Sequence, residues 1–147
     1  MNYALMTLSR CYEFSAAHRL HSNHLSDSEN VHVYDICNNL NGHGHDYRLE
    51  VSIEGVPDAE TGMIISIEEL DNGVRTVLDK MDHKHLDKEL AFFKTNLSTG
   101  EIIIRLLWQE LTKTLPTHRL YNLKLWETNN NYFELDSEQF RNAYSKA

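Results

Sequence analysis

The sequence has few cysteines, prolines and glycines. It contains two cysteines (Cys11 and Cys37), two prolines and six glycines. Two cysteines cannot form a disulfide framework, and in a reducing compartment both are expected to be free thiols. Because there is no Pro/Gly-rich linker, internal repeat or low-complexity tract, residues 1–147 are expected to form a single domain.

Long apolar runs and an excess of basic residues are also missing. No apolar run approaches the roughly 18 residues that a membrane-spanning helix needs. The first residues, Met1 to Ala4, show neither a basic segment nor an apolar one following it. The net charge of −8 argues against a nucleic acid or an acidic membrane as partner, because either would need a basic surface. We therefore expect a cytoplasmic protein that binds neither.

Four segments have the alternating pattern of strands. Apolar residues recur at every second position over residues 5–18, and the alternation is nearly complete from His43 to Glu54. Shorter alternating segments cover residues 121–127 and 132–135. The polar segment 21–30 is predicted to be a surface loop.

Two segments have the pattern of helices. Ser66 with Glu69, and Ser98 with Glu101, are N-terminal helix signals. The first is followed by a helical apolar stripe of about 15 residues, and the second helix is ended by Pro116. The resulting order predicts an α+β fold, a four-stranded antiparallel sheet with two helices on one face. Its open edges favour oligomerisation.

Histidine is abundant, with nine in the chain, and His43-Gly44-His45 is the most informative group. On a strand, His43 and His45 point to one side, and Gly44 removes bulk between them. Two imidazoles so placed suit zinc, at roughly 2.0–2.1 Å per bond. His18, at the end of the first predicted strand, is the natural third ligand. Three histidines with an open position are typical of catalytic zinc, although an isolated H-x-H pair is more often coincidental.

The two thiols are expected to differ. Cys37 lies six residues before His43, in a segment rich in asparagine and glycine that suits a turn towards the metal. A nearby metal or histidine would lower the pKa of its thiol and make it a usable base or nucleophile. Cys11 lies inside a predicted strand, where an inert small core residue is the better interpretation.

Two acidic positions are further candidates. Asp82 precedes His83 directly after the first helix, and a carboxylate beside an imidazole can fix its tautomer and raise its basicity. A histidine meeting a helix C-terminus is the alternative. Glu127 ends an apolar strand, where it would either cap a turn or accept paired N–H groups from a ligand.

Together these segments resemble the 6-pyruvoyl-tetrahydropterin synthase family. The matching segments occur in family order and span nearly the whole chain: FSAAHRL at 14–20, CNNLNGHGHDY at 37–47, TGMI at 61–64, MDHKHLD at 81–87, STGE at 98–101 and LWET at 125–128. The separation between the cysteine and HGH is similar to that of the tetrahydrobiopterin-pathway members. In the 6-carboxy-tetrahydropterin synthases of the queuosine pathway, the cysteine usually lies closer.

The resemblance implies roles for the candidates. It makes His18, His43 and His45 the zinc ligands and Cys37 the proton acceptor. It implies that Asp82 and His83 complete a relay from a neighbouring subunit. Glu127 would anchor the pterin ring, with Thr99 and Glu101 lining the pocket. The family fold is the tunnelling fold, in which sheets join into a barrel and two trimers stack as a hexamer.

The implied reaction converts 7,8-dihydroneopterin triphosphate to 6-pyruvoyl-tetrahydropterin, a lyase reaction that eliminates triphosphate. Zinc can act in it as a Lewis acid. The runner-up is formation of 6-carboxy-tetrahydropterin, and the rival from another class is a non-enzymatic zinc- or pterin-binding module. Arg19, Lys84 and Lys88 are the candidates for the triphosphate.

One departure from the family is visible in the sequence. The second helix usually begins Thr-Glu-Asn, whereas this chain has Gly100-Glu101-Ile102. His85 stands where an asparagine is common, and we interpret it as a bystander.

Overall fold

A five-stranded mixed sheet forms the centre of the computed structural model, which describes residues 3–145. The strands are β1 (Met6–His18), β2 (His43–Gly55), β3 (Lys84–His85), β4 (Arg119–Trp126) and β5 (Tyr132–Asp136). Their order is β3-β1-β2-β4-β5. The four predicted strands form antiparallel pairs. The prediction of a purely antiparallel four-stranded sheet is wrong, because the two-residue β3 joins β1 in parallel at the sheet edge.

Five α-helices accompany the sheet within the described residues: α1 (Asp27–Tyr34), α2 (Ile67–Leu78), α3 (Leu86–Glu89), α4 (Gly100–Thr114) and α5 (Ser137–Tyr144). Two 3₁₀ turns cover Asp35–Asn38 and Ala91–Lys94. Both predicted helices are present, as α2 and α4. The helix α2 begins after Ser66 as expected, but it has 12 residues rather than about 15. The N-cap of α4 is Thr99, not Ser98, and its side chain makes no capping hydrogen bond.

The predicted loop over residues 21–30 contains the beginning of α1. Ser26 accepts a hydrogen bond from the Glu29 N–H, and the Glu29 side chain accepts one from the Ser26 N–H, a complete capping box. The apolar periodicity of a packed helix is absent here, since Val31 and Val33 are both exposed. The cap, not burial, therefore gives the local signal for this helix. No described helix is long and apolar enough to cross a membrane.

One face of the sheet is buried beneath α2 and α4. The core combines side chains of both helices with alternate strand residues, including Leu49, Val51 and Ile53 of β2. The opposite face carries exposed residues such as Cys11 and Glu13. Cys11 is therefore not the core residue that the sequence indicated, because its position in β1 has the outward parity.

The start of α4 is packed against β5 through a glycine. A Cβ added to Gly100 would lie 2.0 Å from Cε2 of Phe133, closer than any real contact. The Phe133 ring thus occupies the space that a larger residue at position 100 would need. Gly100, where the sequence departs from the family pattern, thus packs against an aromatic residue of β5.

We expect Gly100→Thr to destabilise the protein by about 1–3 kcal/mol, because overpacking forces the Phe133 ring out of its position. Denaturant unfolding measures this change. The double variant Gly100→Thr/Phe133→Val should recover most of the loss, since the smaller side chain vacates the space. A single variant as stable as the parent protein would contradict the packing described.

Candidate functional site

Three histidines converge where the core face of β1 and β2 ends. The antiparallel register places His18 opposite His43, and Ala16 opposite His45. The Nε2 atoms of His18 and His43 are 3.0 Å apart. One ligand atom from each of the three histidines lies within 4.8 Å of the others. The structure therefore brings together all three predicted zinc ligands.

His18 is held rigidly by the backbone before α4. Its side chain is buried, and Nδ1 lies 2.7 Å from the carbonyl oxygen of Ser98. That carbonyl can only accept, so Nδ1 carries the proton and Nε2 presents a lone pair to the cluster. The sequence analysis named Ser98 only as a helix start and missed its contact with His18, because a backbone acceptor 80 residues away leaves no local pattern.

The environment of the cluster favours neutral imidazoles. Burial lowers the pKa of His43, and the neighbouring His18 and His45 lower it further. Burial is also the main cause of the lowered pKa of His45. The Nε2 atom of His45 is buried and has no hydrogen-bond partner within residues 3–145. A metal ion fits this donor set, since ligands of one tetrahedral zinc lie about 3.3 Å apart when each bond is about 2.0–2.1 Å.

Glu127 directly follows β4 and reaches the same cluster. Its Oε1 lies 3.7 Å from His18 Nε2 and 3.8 Å from His45 Nε2. Its Oε2 is 3.4 Å from Asn131 Nδ2, so it also contacts the turn that follows. Both interpretations from the sequence, a ligand-facing carboxylate and a turn residue, are thus compatible with its position.

Tyr47 is a residue of the cluster to which the sequence analysis gave no role. Its ring stacks on Phe14 at 4.9 Å between centroids, and its centroid is 5.5 Å from that of His45. The hydroxyl is buried without a hydrogen-bond partner among the described residues. Burial and then the charge of Glu127 raise the pKa of Tyr47, which keeps the hydroxyl a neutral donor. Its place at the cluster could have been inferred from the sequence, because Tyr47 has the same strand parity as His43 and His45.

Cys37 lies in the 3₁₀ turn Asp35–Asn38 and is half-buried. Burial raises the pKa of its thiol, and the charges of Glu127 and Asp35 raise it further. The protein's own groups therefore raise the pKa of Cys37, whereas the sequence analysis expected a nearby metal or histidine to lower it. Cys11, by contrast, is exposed on β1, and its Sγ is 3.9 Å from Glu50 Oε2.

Asp82 and His83 form a pair beside the other edge of β1. His83 Nδ1 is 2.9 Å from Asp82 Oδ1, which also accepts the Ser15 N–H at 2.8 Å. That backbone hydrogen bond is the main reason for the lowered pKa of Asp82. The His83 side chain is 82% exposed. Within residues 3–145 the pair makes no hydrogen bond or ion pair with the three histidines.

The two predicted pocket residues of α4 are placed differently. Thr99 adjoins Ser98 and hence the contact to His18. Glu101 is exposed and lines a cavity of about 260 Å³ between α4, β5 and α5. Glu127 does not line that cavity, so Glu101 and Glu127 do not share a pocket within a single chain.

The three candidate phosphate-binding cations also separate. Arg19 and Lys88 line one cavity, whereas Lys84 lines a different depression and has its Nζ 3.4 Å from Glu89 Oε1. His85 borders both. Both its ring nitrogens are buried and lack a hydrogen-bond partner within the described chain, and Nδ1 lies 3.9 Å from Asp87 Oδ2. That His85 is a bystander stays a prediction.

Comparison with known proteins shows the family. The family model described as 6-pyruvoyl tetrahydropterin synthase matches residues 7–138. The chain belongs to this family. It is 41% identical over 125 residues to the human 6-pyruvoyl tetrahydrobiopterin synthase, covering 84% of this chain and 86% of that protein. The Drosophila melanogaster protein of the same name is 43% identical over 126 residues, covering 84% of this chain and 75% of its own length.

A solved structure is similar to this chain along nearly the whole length of both. The 6-pyruvoyl tetrahydropterin synthase of Caenorhabditis elegans aligns with a TM-score of 0.88 at 39% sequence identity, covering 93% of this chain and 99% of that one. The resemblance seen in the sequence is confirmed, as is the expectation of an enzyme of this family.

We expect the purified protein to hold about one zinc per chain and His43→Ala or His45→Ala to lose it, because a three-ligand site cannot spare a ligand. Zinc content after dialysis, measured by mass spectrometry, checks this. The matched control is His118→Ala, since His118 pairs with Glu69 at 2.9 Å away from the cluster. Full zinc retention by either ligand variant would contradict the assignment.

Proposed function

We propose that the protein is a zinc-dependent lyase that converts 7,8-dihydroneopterin triphosphate to 6-pyruvoyl-tetrahydropterin with loss of triphosphate. The observation that carries this proposal is the cluster of His18, His43 and His45 with Glu127 Oε1 less than 4 Å from two of its nitrogens. Three histidine ligands leave one position open, as in catalytic zinc sites. The family and its named relatives support the substrate class.

The three histidines hold the metal, and Ser98 fixes the orientation of His18. Zinc, when bound, supplies a Lewis acid for the substrate's side-chain oxygens and a positive charge that favours thiolate and acidified C–H groups nearby. The lowered pKa values of His43 and His45 keep both ligands neutral near pH 7.

Cys37 is the proposed proton acceptor. Its backbone carbonyl accepts the N–H of Leu20 at 2.9 Å, two residues after His18, which supports a position close to the cluster. Asp82 and His83 complete the relay in our proposal, and they do so from a neighbouring subunit, since this pair lies beside the opposite edge of β1 and is open to solvent. The exposed face of the sheet and the open edge of β5 support assembly into a barrel and a hexamer of two trimers.

Glu127 is proposed to anchor the pterin ring. A carboxylate accepts two parallel hydrogen bonds, which matches the ring N3–H and 2-amino donors. Thr99 and Glu101 would line the same pocket in the assembled oligomer. The free thiols support a cytoplasmic location.

Two other functions would use the same residues. A 6-carboxy-tetrahydropterin synthase would release a two-carbon fragment, and a binding module would bind zinc or pterin without turnover. The separation of Cys37 from His43 in the sequence favours formation of 6-pyruvoyl-tetrahydropterin over formation of 6-carboxy-tetrahydropterin.

Incubating the zinc-loaded protein with 7,8-dihydroneopterin triphosphate and identifying the products by mass distinguishes the three. We expect 6-pyruvoyl-tetrahydropterin and inorganic triphosphate. A 6-carboxy product would show the alternative enzyme. Absence of turnover by a protein that binds zinc and pterin would contradict enzymatic function.

Cys37→Ala should retain zinc and pterin binding while losing about 10²–10⁴-fold in rate, because only proton transfer is removed. Single-turnover kinetics measures this loss. Cys11→Ala is the matched control, since Cys11 lies on the exposed face of β1, and it should be nearly silent. Equal losses in both variants would show that the thiols are wrongly assigned.

Glu127→Gln should weaken binding of 7,8-dihydroneopterin by about 2–4 kcal/mol, since an amide presents a donor where the ring also presents one. Calorimetric titration measures the affinity, and zinc content should not change. Asn131→Ala provides the control because it removes the turn contact to Glu127 and keeps the carboxylate. Equal affinity of Glu127→Gln and the parent protein would exclude Glu127 from ring recognition.

A further inference from the structure

The hydroxyl of Tyr47 is a buried polar group that the fold does not use. The residue is 1% exposed, and its hydroxyl has no hydrogen-bond partner within residues 3–145. Most buried polar side-chain atoms in proteins are hydrogen-bonded, and a buried hydroxyl without a partner costs free energy. A phenylalanine would fill the same space without that cost. The hydroxyl therefore needs an explanation other than packing.

The register of the sheet places Tyr47 across from Glu127. The strands β2 and β4 are antiparallel, and their ladder ends with Arg48 opposite Trp126. The next positions in this register are Tyr47 and Glu127, and residues that face each other in this way have Cβ atoms about 4.5–5.5 Å apart. Both side chains lie on the histidine side of the sheet. Tyr47 shares strand parity with His45, and Glu127 Oε1 is 3.8 Å from His45 Nε2.

The ring of Tyr47 is held on both sides, which fixes the direction of its hydroxyl. Phe14 is its neighbour across β1, and the two rings are stacked at 4.9 Å between centroids with an interplanar angle of 10°. The ring of His45 lies 5.5 Å away at an interplanar angle of 70°. A donor that is preorganised in this way loses little entropy when it forms a hydrogen bond.

Glu127 can accept more hydrogen bonds than the chain gives it. Within the described residues its one side-chain hydrogen bond is with Asn131 Nδ2, at 3.4 Å from Oε2. His18 Nε2 is 3.7 Å from Oε1 but presents a lone pair, because the proton of this imidazole is on the Nδ1 atom that contacts the Ser98 carbonyl. A carboxylate has about four acceptor sites. Glu127 thus lacks donors, whereas Tyr47 has a donor without an acceptor.

We propose that Tyr47 is a positioning residue for Glu127, whose carboxylate it orients towards the pterin ring by donating a hydrogen bond from its hydroxyl. The inference rests on the proposed function, in which Glu127 accepts the two ring donors. A hydrogen bond from a fixed donor sets the plane of the carboxylate, so that its oxygens face the ring N3–H and 2-amino group. The bond forms as the carboxylate moves away from the imidazole nitrogens that it contacts in the ligand-free chain. Tyr47 acts on the ligand through Glu127.

The test is Tyr47→Phe in the zinc-loaded protein, titrated with 7,8-dihydroneopterin by calorimetry. We expect about three- to tenfold weaker binding, which is the usual contribution of one hydrogen bond. Zinc content should not change. The denaturation midpoint should be no lower than that of the parent protein, since a buried hydroxyl without a partner does not stabilise the fold. In a Glu127→Ala background, Tyr47→Phe should have no further effect on affinity, because the side chain that it orients is gone.

The matched control is Tyr12→Phe. Tyr12 is also buried on the core face, one strand away, but its hydroxyl donates to Asp71 Oδ1 at 2.7 Å. We expect the opposite pattern from this variant, a lowered denaturation midpoint with the affinity for 7,8-dihydroneopterin unchanged. The two variants remove the same atom from the same kind of environment, so the comparison separates a hydroxyl that serves the ligand from one that serves the fold.

Three results would overturn the inference alone. Binding by Tyr47→Phe as tight as that of the parent protein, alongside weakened binding by Glu127→Gln, would show that the carboxylate needs no help from Tyr47. A midpoint lowered as much as in Tyr12→Phe would show a structural hydroxyl. An equal loss of affinity in the Glu127→Ala background would show that the hydroxyl serves another acceptor. A parent protein that does not bind 7,8-dihydroneopterin would contradict the proposed function itself, and this inference with it.

Discussion

The antiparallel register between β1 and β2 is the constraint on which the candidate site depends. It pairs His18 with His43 and Ala16 with His45, so the three imidazoles meet on the face that is continuous with the core. A shift by one residue would turn His43 and His45 to the exposed face, because side chains alternate along a strand. The apolar residues of β2 that follow, Leu49, Val51 and Ile53, are completely buried, and their burial opposes such a shift. The same hydrophobic pattern therefore stabilises the sheet and aligns the ligands.

Around this cluster, the charge of one carboxylate acts on several titratable side chains. Glu127 places a carboxylate beside the imidazoles, and its charge contributes to the raised pKa values of Cys37 and Tyr47.

Some parts of the proposed site are separated within one chain. The Asp82–His83 pair is held by the backbone of Ser15 and is open to solvent, and Glu101 lines a cavity formed with α5. His83 has a φ of 58°, which is uncommon for a residue with a side chain and maintains the position of its ring. A well-held but exposed pair of titratable groups is consistent with use by an adjacent subunit.

The sequence by itself determined the family, through the resemblance of its motifs to known members. It also determined the four main strands, the two main helices and the pairing of His43 with His45, because each of these is encoded by short-range spacing. It indicated His18 as the third histidine, which the register of β1 and β2 brings to the other two. Tertiary structure decided the features that depend on distant residues. The strand β3 has two residues, too few for any periodicity, and exists only because β1 offers an unpaired edge. Cys11 is exposed rather than buried, because its position in β1 has the opposite parity to the buried Tyr12 and Phe14, which the alternation in the sequence already indicated. The contact of the Ser98 carbonyl with His18, the burial of the Tyr47 hydroxyl and the separation of Lys84 from Lys88 likewise depend on which segments pack together, and no local pattern of residues records that.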